Sequence, residues 1–210
     1  MKATPSKESG TVFIVDDDTS FLRSLSRLLT AMGYAVEAYP SAAEFLARPD
    51  PDRAGCVVAD LQMPAINGLQ LQQALRNSEN PLPVIFLTGQ GDIPTTVSAM
   101  RSGAEDFLTK RAPKDELLAA VERAFERDAR ERQQRQRQRE LKRRFDGLSQ
   151  REREVLSHVF QGKMNKEIAA ALNINLRTVK LHRTNITRKL NVQSVAELTR
   201  LVDETGIFRT

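Results

Sequence analysis

The stretch TVFIVDDD, residues 11–18, joins an apolar, β-branched run to three consecutive carboxylates. A short continuous apolar run is typical of a strand that is buried on both faces of a sheet. Four more short runs of this kind follow it, at residues 34–38, 56–59, 82–87 and 105–109. Apolar residues at helical spacing lie between the runs, and strands that alternate with helices predict a doubly wound, five-stranded parallel sheet of the α/β class.

Polar side chains directly follow four of the predicted strands: Asp16, Asp17 and Asp18, then Asp60, Thr88 and Lys110. The carboxyl ends of parallel strands meet at one edge of the sheet, which is where such folds place their working site. Clustered carboxylates need a cation, and all-oxygen ligands favour Mg²⁺. A carboxylate can also act as a nucleophile toward a phosphoryl group. The edge therefore predicts a Mg²⁺-assisted phosphoryl site, although each residue alone could be only a turn or a helix cap.

The composition excludes several other classes of protein. Of 210 residues, 40% are hydrophobic and 28% are charged, which is unlike a disordered or fibrous chain. No apolar run approaches the ~18 residues that a membrane span needs, and the N-terminus lacks the apolar stretch of a secretory signal. The single cysteine, Cys56, cannot form an internal disulfide. We expect a cytoplasmic protein with no membrane partner.

Charge is unevenly distributed along the chain. Lys and Arg minus Asp and Glu give −4 over residues 1–125, +5 over 126–145 and +4 over 146–210. The basic half predicts a polyanionic partner, most simply nucleic acid, with a solvated basic surface as the alternative. We assign 1–125 to the α/β domain, 126–145 to a polar helical linker, with flexible coil as the alternative, and 146–210 to a second domain.

Only helical patterns follow residue 148. Ser149–Glu152 has the sequence of a capping box, and further helices are predicted over 165–172, 176–190 and 194–202, with Asn165 and Asn175 as N-caps of the first two. The second and third of these four helices form a helix-turn-helix. Helix 176–190 is apolar on one side, through Val179, Ile186 and Leu190, and basic on the other, which suits the DNA major groove.

Residues 11–125 contain a set of short motifs: VDDD at 15–18, DLQMP at 60–64 with NG at 67–68, TG at 88–89, GDIP at 91–94 and GAEDFLTK at 103–110. With these motifs the segment resembles the receiver domain of two-component response regulators, and the FixJ subgroup in particular. The resemblance implies that Asp60 is the phosphoacceptor and that a sensor histidine kinase is the donor. It implies Mg²⁺ ligands from Asp16, Asp17, Asp60 and the main-chain carbonyl of Gln62. It also implies Thr88 and Phe107 as a switch pair, Lys110 as the phosphate-side cation, and receiver pairing through residues 93–109.

Two positions depart from the family pattern. Receivers usually have Pro directly after the lysine, often with a cis peptide bond, and here Arg111 stands there. A cis bond before Arg111 would cost ~2.5–4 kcal/mol, so we expect a trans bond. Gln90 stands where the FixJ subgroup tends to have His.

Residues 148–203 resemble the LuxR/NarL-type DNA-binding domain, through LSQRE at 148–152, NKEIA at 165–169 and TVKLH at 178–182. The resemblance implies double-stranded promoter DNA and RNA polymerase as partners, and homodimers that form on phosphorylation with residues 194–202 as a dimer contact. It implies that Lys180, Leu181 and Thr184 face bases, and that phosphates are contacted by Arg177, Thr178, Arg183 and Arg188.

The residues therefore favour a phosphorylation-controlled transcription regulator that is not an enzyme. One alternative is an aspartyl-phosphate phosphatase, because Asp16-x-Asp18-x-Ser20 superficially matches such a signature. A second alternative is a DNA-binding regulator that works without phosphorylation. Loss of phosphate uptake in Asp60→Asn would support Asp60 as the phosphoacceptor. Turnover of a phosphate monoester that is lost in Asp16→Asn but not in Asp60→Asn would favour the phosphatase.

Overall fold

The structure is a computed structural model that describes residues 10–48, 50, 53–89, 93–192, 194, 197, 198, 200 and 201. The chain forms two compact units that divide between Arg132 and Gln133. The division lies inside the segment 126–145 that the composition assigns to a linker, and the exact domain boundaries stay a prediction. Among the described residues, no helix has the length and apolarity that crossing a bilayer requires.

The first unit contains a five-stranded parallel sheet, as the sequence predicts. Its strands are β1 (Thr11–Val15), β2 (Ala35–Tyr39), β3 (Gly55–Asp60), β4 (Val84–Thr88) and β5 (Asp106–Thr109). They lie side by side in the order β2-β1-β3-β4-β5, and every neighbouring pair is parallel. The reversal of strand order beside β1 is the topological switch point of a doubly wound sheet, where sites form outside the carboxyl ends of the strands.

Helices cover both faces of this sheet: α1 (Thr19–Ala31), α2 (Ala42–Leu46), α3 (Gly68–Arg76), α4 (Ile93–Arg101) and α5 (Lys114–Asp146). One apolar core includes Phe13, Val57 and Phe86, and the core on the other face includes Ile14 and Ile85. Alternate residues of one strand thus enter opposite cores, as the period of two requires. Residues 126–145 continue α5 as a helix.

Four of the five strands differ from the sequence prediction by one or two residues at an end: β3 extends one residue further at each end, β5 begins one residue later, and β2 and β4 are shifted along the chain. β4 begins at Val84 rather than Leu82. Pro83 has no N–H with which to join a ladder, although its carbonyl accepts from Val57 N at 2.9 Å. β2 begins at Ala35 rather than Tyr34, because Tyr34 N donates to Leu29 O at 3.1 Å and so closes the end of α1.

The second unit contains α6 (Gln150–Phe160), α7 (Asn165–Leu172) and α8 (Leu176–Leu190). Their shared core includes Val155, Ile168, Val179, Ile186 and Leu190, so the predicted inward face of α8 is confirmed. The predicted fourth helix, 194–202, falls partly outside the described residues, as do Val195 and Val202.

The helix ends show which predicted caps hold. Ser149 accepts from Glu152 N while Glu152 accepts from Ser149 N, which completes the predicted capping box. Asn175 caps α8 by accepting from Thr178 N at 2.8 Å. The prediction for Asn165 is wrong, because Met164 occupies the N-cap position of α7. Glu167 accepts from Met164 N instead, and Asn165 Oδ1 accepts from Arg183.

Candidate functional site

The polar residues that follow the strands meet at one edge of the sheet. Val15 pairs with Ala59, Asp60 with Leu87 and Thr88 with Thr109, so the ends of β1, β3, β4 and β5 are level. Asp16 and Lys110 each follow one of these strands directly. Parallel register is therefore what brings residues from four distant segments together.

The centre of the edge is a lysine between two carboxylates. Lys110 Nζ lies 2.7 Å from Asp16 Oδ2 and 2.9 Å from Asp60 Oδ2. Asp16 is 1% exposed and Asp60 is 8% exposed. Backbone N–H groups hold the other oxygens, since Asp18 N donates to Asp16 Oδ1 at 2.9 Å and Gln62 N donates to Asp60 Oδ1 at 3.3 Å. Both carboxylates are thus fixed in orientation, with one oxygen of each facing the lysine.

Asp17 completes a group of three carboxylates. One oxygen each of Asp16, Asp17 and Asp60 lies within 4.8 Å of the others, and Asp17 is the exposed member. Three negative oxygens in one small volume repel each other unless a cation is shared between them. Hard oxygen donors of this kind suit Mg²⁺, so the residues present fit the predicted metal.

The hydrogen bonds of Lys110 to Asp16 and Asp60 keep the lysine positively charged. Burial raises the pKa of Asp16, and the hydrogen bond from Lys110 opposes that rise. Burial lowers the pKa of Lys110, but its hydrogen bonds to Asp16 and Asp60 outweigh burial and leave the pKa above the usual value. Lys110 therefore carries its positive charge at neutral pH, close to Asp60.

The loop after β5 orients Lys110 without the proline that receivers usually have. The peptide bond between Lys110 and Arg111 is trans, as expected. Lys110 N donates to Thr88 O at 2.8 Å, and Ala112 N donates to Thr109 O at 2.9 Å. These two backbone bonds direct the lysine side chain toward the carboxylates, so Arg111 does not prevent it from reaching them.

A second loop, between β3 and α3, supports Asp60. Gly68 N donates to Leu61 O at 2.9 Å and Asn67 forms a capping box with Gln70, so α3 begins directly beside the end of β3. A Cβ at Gly68 would lie 2.6 Å from Asp60 O, which leaves room only for glycine. The loop also contains Gln62, whose carbonyl the family resemblance assigns to the metal.

Asp18 and Phe21 have roles that the sequence pattern left open or missed. Asp18 is the N-cap of α1, accepting from Ser20 N at 2.9 Å and Phe21 N at 3.1 Å. This use of its carboxylate is a helix cap rather than the acid of a phosphatase signature. Phe21 places its ring 4.6 Å from Lys110 Nζ, a cation–π contact. Its sequence signal was its place among the apolar residues at helical spacing that follow the Asp triplet, which does not predict a contact with Lys110.

The predicted switch residues also lie at this edge. Thr88 is 1% exposed and ends β4, directly beside the residue that precedes Lys110. Phe107 is half-buried on β5, and its ring centroid lies 6.1 Å from that of Phe86. The structure thus brings Thr88 close to Asp60 through the β3–β4 pairing, with Phe107 on the neighbouring strand.

The second unit presents a separate polar surface on α8. Arg177, Lys180, Thr184 and Arg188 are exposed there, and Leu181 is 58% exposed among them. Thr178 and Arg183 are half-buried, since Thr178 Oγ1 donates to Asn175 and Arg183 Nη1 donates to Asn165, each at 2.8 Å.

Lys189, on the same helix, has a structural contact that its sequence context concealed. Its Nζ lies 2.7 Å from Oε2 of the buried Glu152 on α6 and also donates to Gly147 O at 3.1 Å. Arg177, Lys180 and Arg188 remain exposed on this helix, which suits the phosphates and base edges of a major groove.

Comparison with known proteins assigns both units to families. Residues 12–122 match the response regulator receiver domain, and residues 146–202 match the bacterial regulatory proteins of the luxR family. The first match alone covers more than half of the chain.

Relatives match along nearly the whole length. The response regulator protein TodT of Pseudomonas putida is 39% identical over 198 residues, which cover 94% of this chain and 87% of TodT. Nodulation protein W of Bradyrhizobium diazoefficiens is 41% identical over 97% of this chain and 90% of its own. The transcriptional regulatory protein FixJ of Azorhizobium caulinodans is 40% identical over 95% of both chains.

Solved structures give the same result. The response regulator StyR matches with a TM-score of 0.83 at 43% identity, over 93% of this chain and 99% of StyR. Full-length FixJ from B. japonicum matches with a TM-score of 0.57 at 34% identity, over 95% of this chain and 98% of the FixJ chain. None of these comparisons favours a phosphatase or a regulator that works without phosphorylation. The chain therefore belongs to the two-component response regulators that join a receiver domain to a LuxR-type DNA-binding domain, and it is a phosphorylation-controlled regulator of transcription.

Proposed function

We propose that Asp60 accepts a phosphoryl group from a sensor histidine kinase and that this event controls promoter binding. The observation that carries the proposal is the position of Asp60 Oδ2, 2.9 Å from the Lys110 ammonium and beside the carboxylates of Asp16 and Asp17. We assign residues 1–125 to the receiver, 126–145 to the linker and 146–210 to the DNA-binding domain.

The transfer is a displacement at phosphorus. A carboxylate oxygen of Asp60 forms the new P–O bond while the P–N bond of a phosphohistidine breaks. The imidazole nitrogen keeps the bonding electron pair and takes up a proton. Lys110 offsets negative charge on the phosphoryl oxygens, because its ammonium already lies at this carboxylate.

Asp16, Asp17, Asp60 and the main-chain carbonyl of Gln62 would hold Mg²⁺ at the same edge. When bound, Mg²⁺ supplies a Lewis acid that neutralises charge on the transferring group. Asp16 and Asp60 contribute buried, oriented oxygens, and Asp17 contributes an exposed one. The exposed ligand leaves the site accessible from solvent, as exchange with a kinase requires.

Phosphorylation acts through Thr88 and Phe107 on the surface of α4 and β5. Thr88 would move to donate to a phosphoryl oxygen, and Phe107 would turn into the space that it leaves. Two large apolar side chains are exposed on α4, Val97 at 42% and Met100 at 45%. Apolar area of this kind favours burial against a second copy, which supports a homodimer after phosphorylation.

The exposed face of α8 then contacts double-stranded promoter DNA. Lys180, Leu181 and Thr184 face bases, while phosphates are contacted by Arg177, Thr178, Arg183 and Arg188. Two copies would occupy half-sites about one helical turn apart. The regulator acts on RNA polymerase at the promoter. It works in the cytoplasm, and its function is regulation rather than enzymatic turnover.

The test measures mass by light scattering with Mg²⁺, before and after addition of beryllofluoride. We expect a monomer-to-dimer shift in the natural chain and in the control Asp115→Asn, which removes an exposed carboxylate on α5. Asp60→Asn should remain monomeric and should take up no phosphoryl group from acetyl phosphate by intact-mass measurement. Full labelling of Asp60→Asn would refute the assignment of the phosphoacceptor.

A second measurement addresses the regulator that works without phosphorylation. Binding of the full chain to its own promoter fragment is compared with and without beryllofluoride. We expect tighter binding with beryllofluoride in the natural chain and no change in Asp60→Asn. Equal binding in all four samples would favour phosphorylation-independent regulation.

A further inference from the structure

An aromatic ring lies against the lysine of the phosphorylation site. The face of the Phe21 ring is directed at Lys110 Nζ, and the ring centroid lies 4.6 Å from that nitrogen. The attraction between an ammonium and the face of an aromatic ring is electrostatic, and it strengthens when water is excluded from the pair. The Lys110 side chain is 18% exposed and Phe21 is half-buried, so water has limited access to this contact.

Two features of α1 hold Phe21 in place. Its backbone N–H donates to Asp18 Oδ1 at 3.1 Å, as part of the N-cap of the helix. Its side chain packs against the apolar core that contains Ile14 and Leu22. The ring therefore lies at the boundary between that core and the phosphorylation site.

The ring gives the ammonium a third contact, which differs in kind from the other two. Lys110 Nζ lies 2.7 Å from Asp16 Oδ2 and 2.9 Å from Asp60 Oδ2. These two carboxylates are also the proposed Mg²⁺ ligands, and Asp60 is the proposed phosphoacceptor, so both ion pairs change when the site is in use. A phenyl ring neither ligates Mg²⁺ nor accepts a phosphoryl group. Its contact with the ammonium therefore competes with neither event.

We propose that Phe21 is a positioning residue for phosphoryl transfer, whose ring holds the Lys110 ammonium beside Asp60 while the charge on the carboxylates changes. This inference rests on the proposed function of Asp60. In the reaction with acetyl phosphate, an Asp60 oxygen forms the new P–O bond, the P–O bond to the acetyl group breaks, and acetate leaves with the bonding electron pair. The ammonium offsets charge on the phosphoryl oxygens most strongly at contact distance. Without the ring the lysine is freer to turn toward solvent, which slows the transfer.

Three variants of the full chain separate the aromatic ring from its bulk. Phe21→Leu and Phe21→Met keep an apolar side chain and remove the ring, while Phe21→Tyr keeps the ring. Phosphoryl uptake from acetyl phosphate at saturating Mg²⁺ is followed by intact mass against time. We expect uptake to be slower by about threefold to tenfold in Phe21→Leu and Phe21→Met, which corresponds to loss of a partly desolvated cation–π contact. Phe21→Tyr should stay within about twofold of the natural chain.

A packing control shows that the effect comes from the ring. Leu28 is half-buried on the same helix and packs against the same core as Phe21, roughly 10 Å further along the helix axis. Leu28→Ala should lower the free energy of unfolding and leave the rate of uptake unchanged. If Leu28→Ala slows uptake as much as Phe21→Leu does, the slower rate comes from lost packing and the proposal is overturned.

A second measurement needs neither Mg²⁺ nor phosphorylation. Protons above the face of an aromatic ring resonate upfield of their usual position, so the Lys110 Hε protons should be shifted upfield in the natural chain and in Phe21→Tyr. In Phe21→Leu and Phe21→Met these protons should return to the ordinary lysine position. An ordinary position in the natural chain, or an upfield shift that persists in Phe21→Leu, would overturn the proposal.

The role of Phe21 and the role of Asp60 fail in different ways. Labelling of Asp60→Asn by acetyl phosphate overturns the assignment of the phosphoacceptor, and this inference with it. Equal uptake rates in Phe21→Leu, Phe21→Tyr and the natural chain, with Asp60→Asn unlabelled, overturn the role of Phe21 alone.

Discussion

The ammonium of Lys110 lies 2.9 Å from Oδ2 of Asp60, although fifty positions separate the two residues in the sequence. The contact crosses β4, since Lys110 follows β5 and Asp60 ends β3. The same ammonium lies 2.7 Å from Asp16 Oδ2. One cation thus holds together carboxylates that would otherwise repel each other.

Removal of this lysine should increase the response of the receiver to Mg²⁺. In Lys110→Ala the three carboxylates lose their internal cation, so we expect a lower melting temperature in EDTA and tighter Mg²⁺ binding by several-fold. Phosphoryl uptake should fall, because the charge on the transferring group is less offset. Calorimetric Mg²⁺ titration and intact-mass measurement check both results. Lys114→Ala, an exposed lysine at the start of α5, is the control.

Gly68 should tolerate no side chain. A Cβ there would lie 2.6 Å from Asp60 O and 2.8 Å from Phe86 Cε1, so the β3–α3 loop must shift. We expect Gly68→Ala to lower the free energy of unfolding by about 1–3 kcal/mol and to reduce phosphoryl uptake. Gly89→Ala is the matched control, because its Cβ meets no atom within 4 Å. Equal stability of both variants in urea denaturation would contradict the close contact at Gly68.

The DNA-binding unit should lose stability in acid through Glu152. Burial raises the pKa of Glu152, but hydrogen bonds from Lys189 and Ser149 outweigh it and leave the pKa below the usual 4.5. A carboxyl with a depressed pKa in the folded state contributes stability above about pH 4.5 that is lost as the pH falls through its folded pKa. Hydrogen exchange of α6 and α8 amides in the full chain should show this loss. Glu152→Gln should reduce the protection of these amides from exchange at pH 7. It should also weaken the dependence of their protection on pH below pH 4.5.

Two basic residues of α8 should differ in their contribution to DNA binding. Arg177 is exposed, and Arg177→Ala should reduce the slope of log K against log salt by about one on a random-sequence duplex. Lys189 is paired with Glu152 at 2.7 Å. Lys189→Gln should change the slope much less while lowering the stability of the unit. The same reduction of slope in both variants would place Lys189 on the DNA surface and contradict the structural role of its ion pair.

The sequence pattern predicts much of the site because strand ends are marked locally. A buried strand must be apolar, so a carboxylate, hydroxyl or ammonium directly after an apolar run identifies the edge of the sheet. Asp16, Asp60, Thr88 and Lys110 were all found in this way, and parallel register then places them together. The inward face of α8 followed from helical spacing in the same manner.

Other features depend on partners that no local pattern identifies. In the sequence, Lys189 is one more basic residue of a DNA-binding helix. In the structure it pairs with Glu152, which lies 37 positions away. Asn165 has a good N-cap side chain, but Arg183 of α8 donates to it and Met164 takes the cap position. The burial of Gln72 likewise has no local sequence signal, because its amide contacts Ala99 of α4, 27 positions away.

The sequence by itself determined the order of strands and helices, the chemistry at the sheet edge and the basic face of the recognition helix, since periodicity and residue type are local properties of the chain. Only the tertiary structure decided which charges are neutralised and which remain available. That decision depends on distances of about 3 Å between residues far apart in the chain, as Lys110 to Asp60 and Lys189 to Glu152 show. Electrostatic and hydrogen-bond energies change steeply over such distances, and the packing of whole elements sets them.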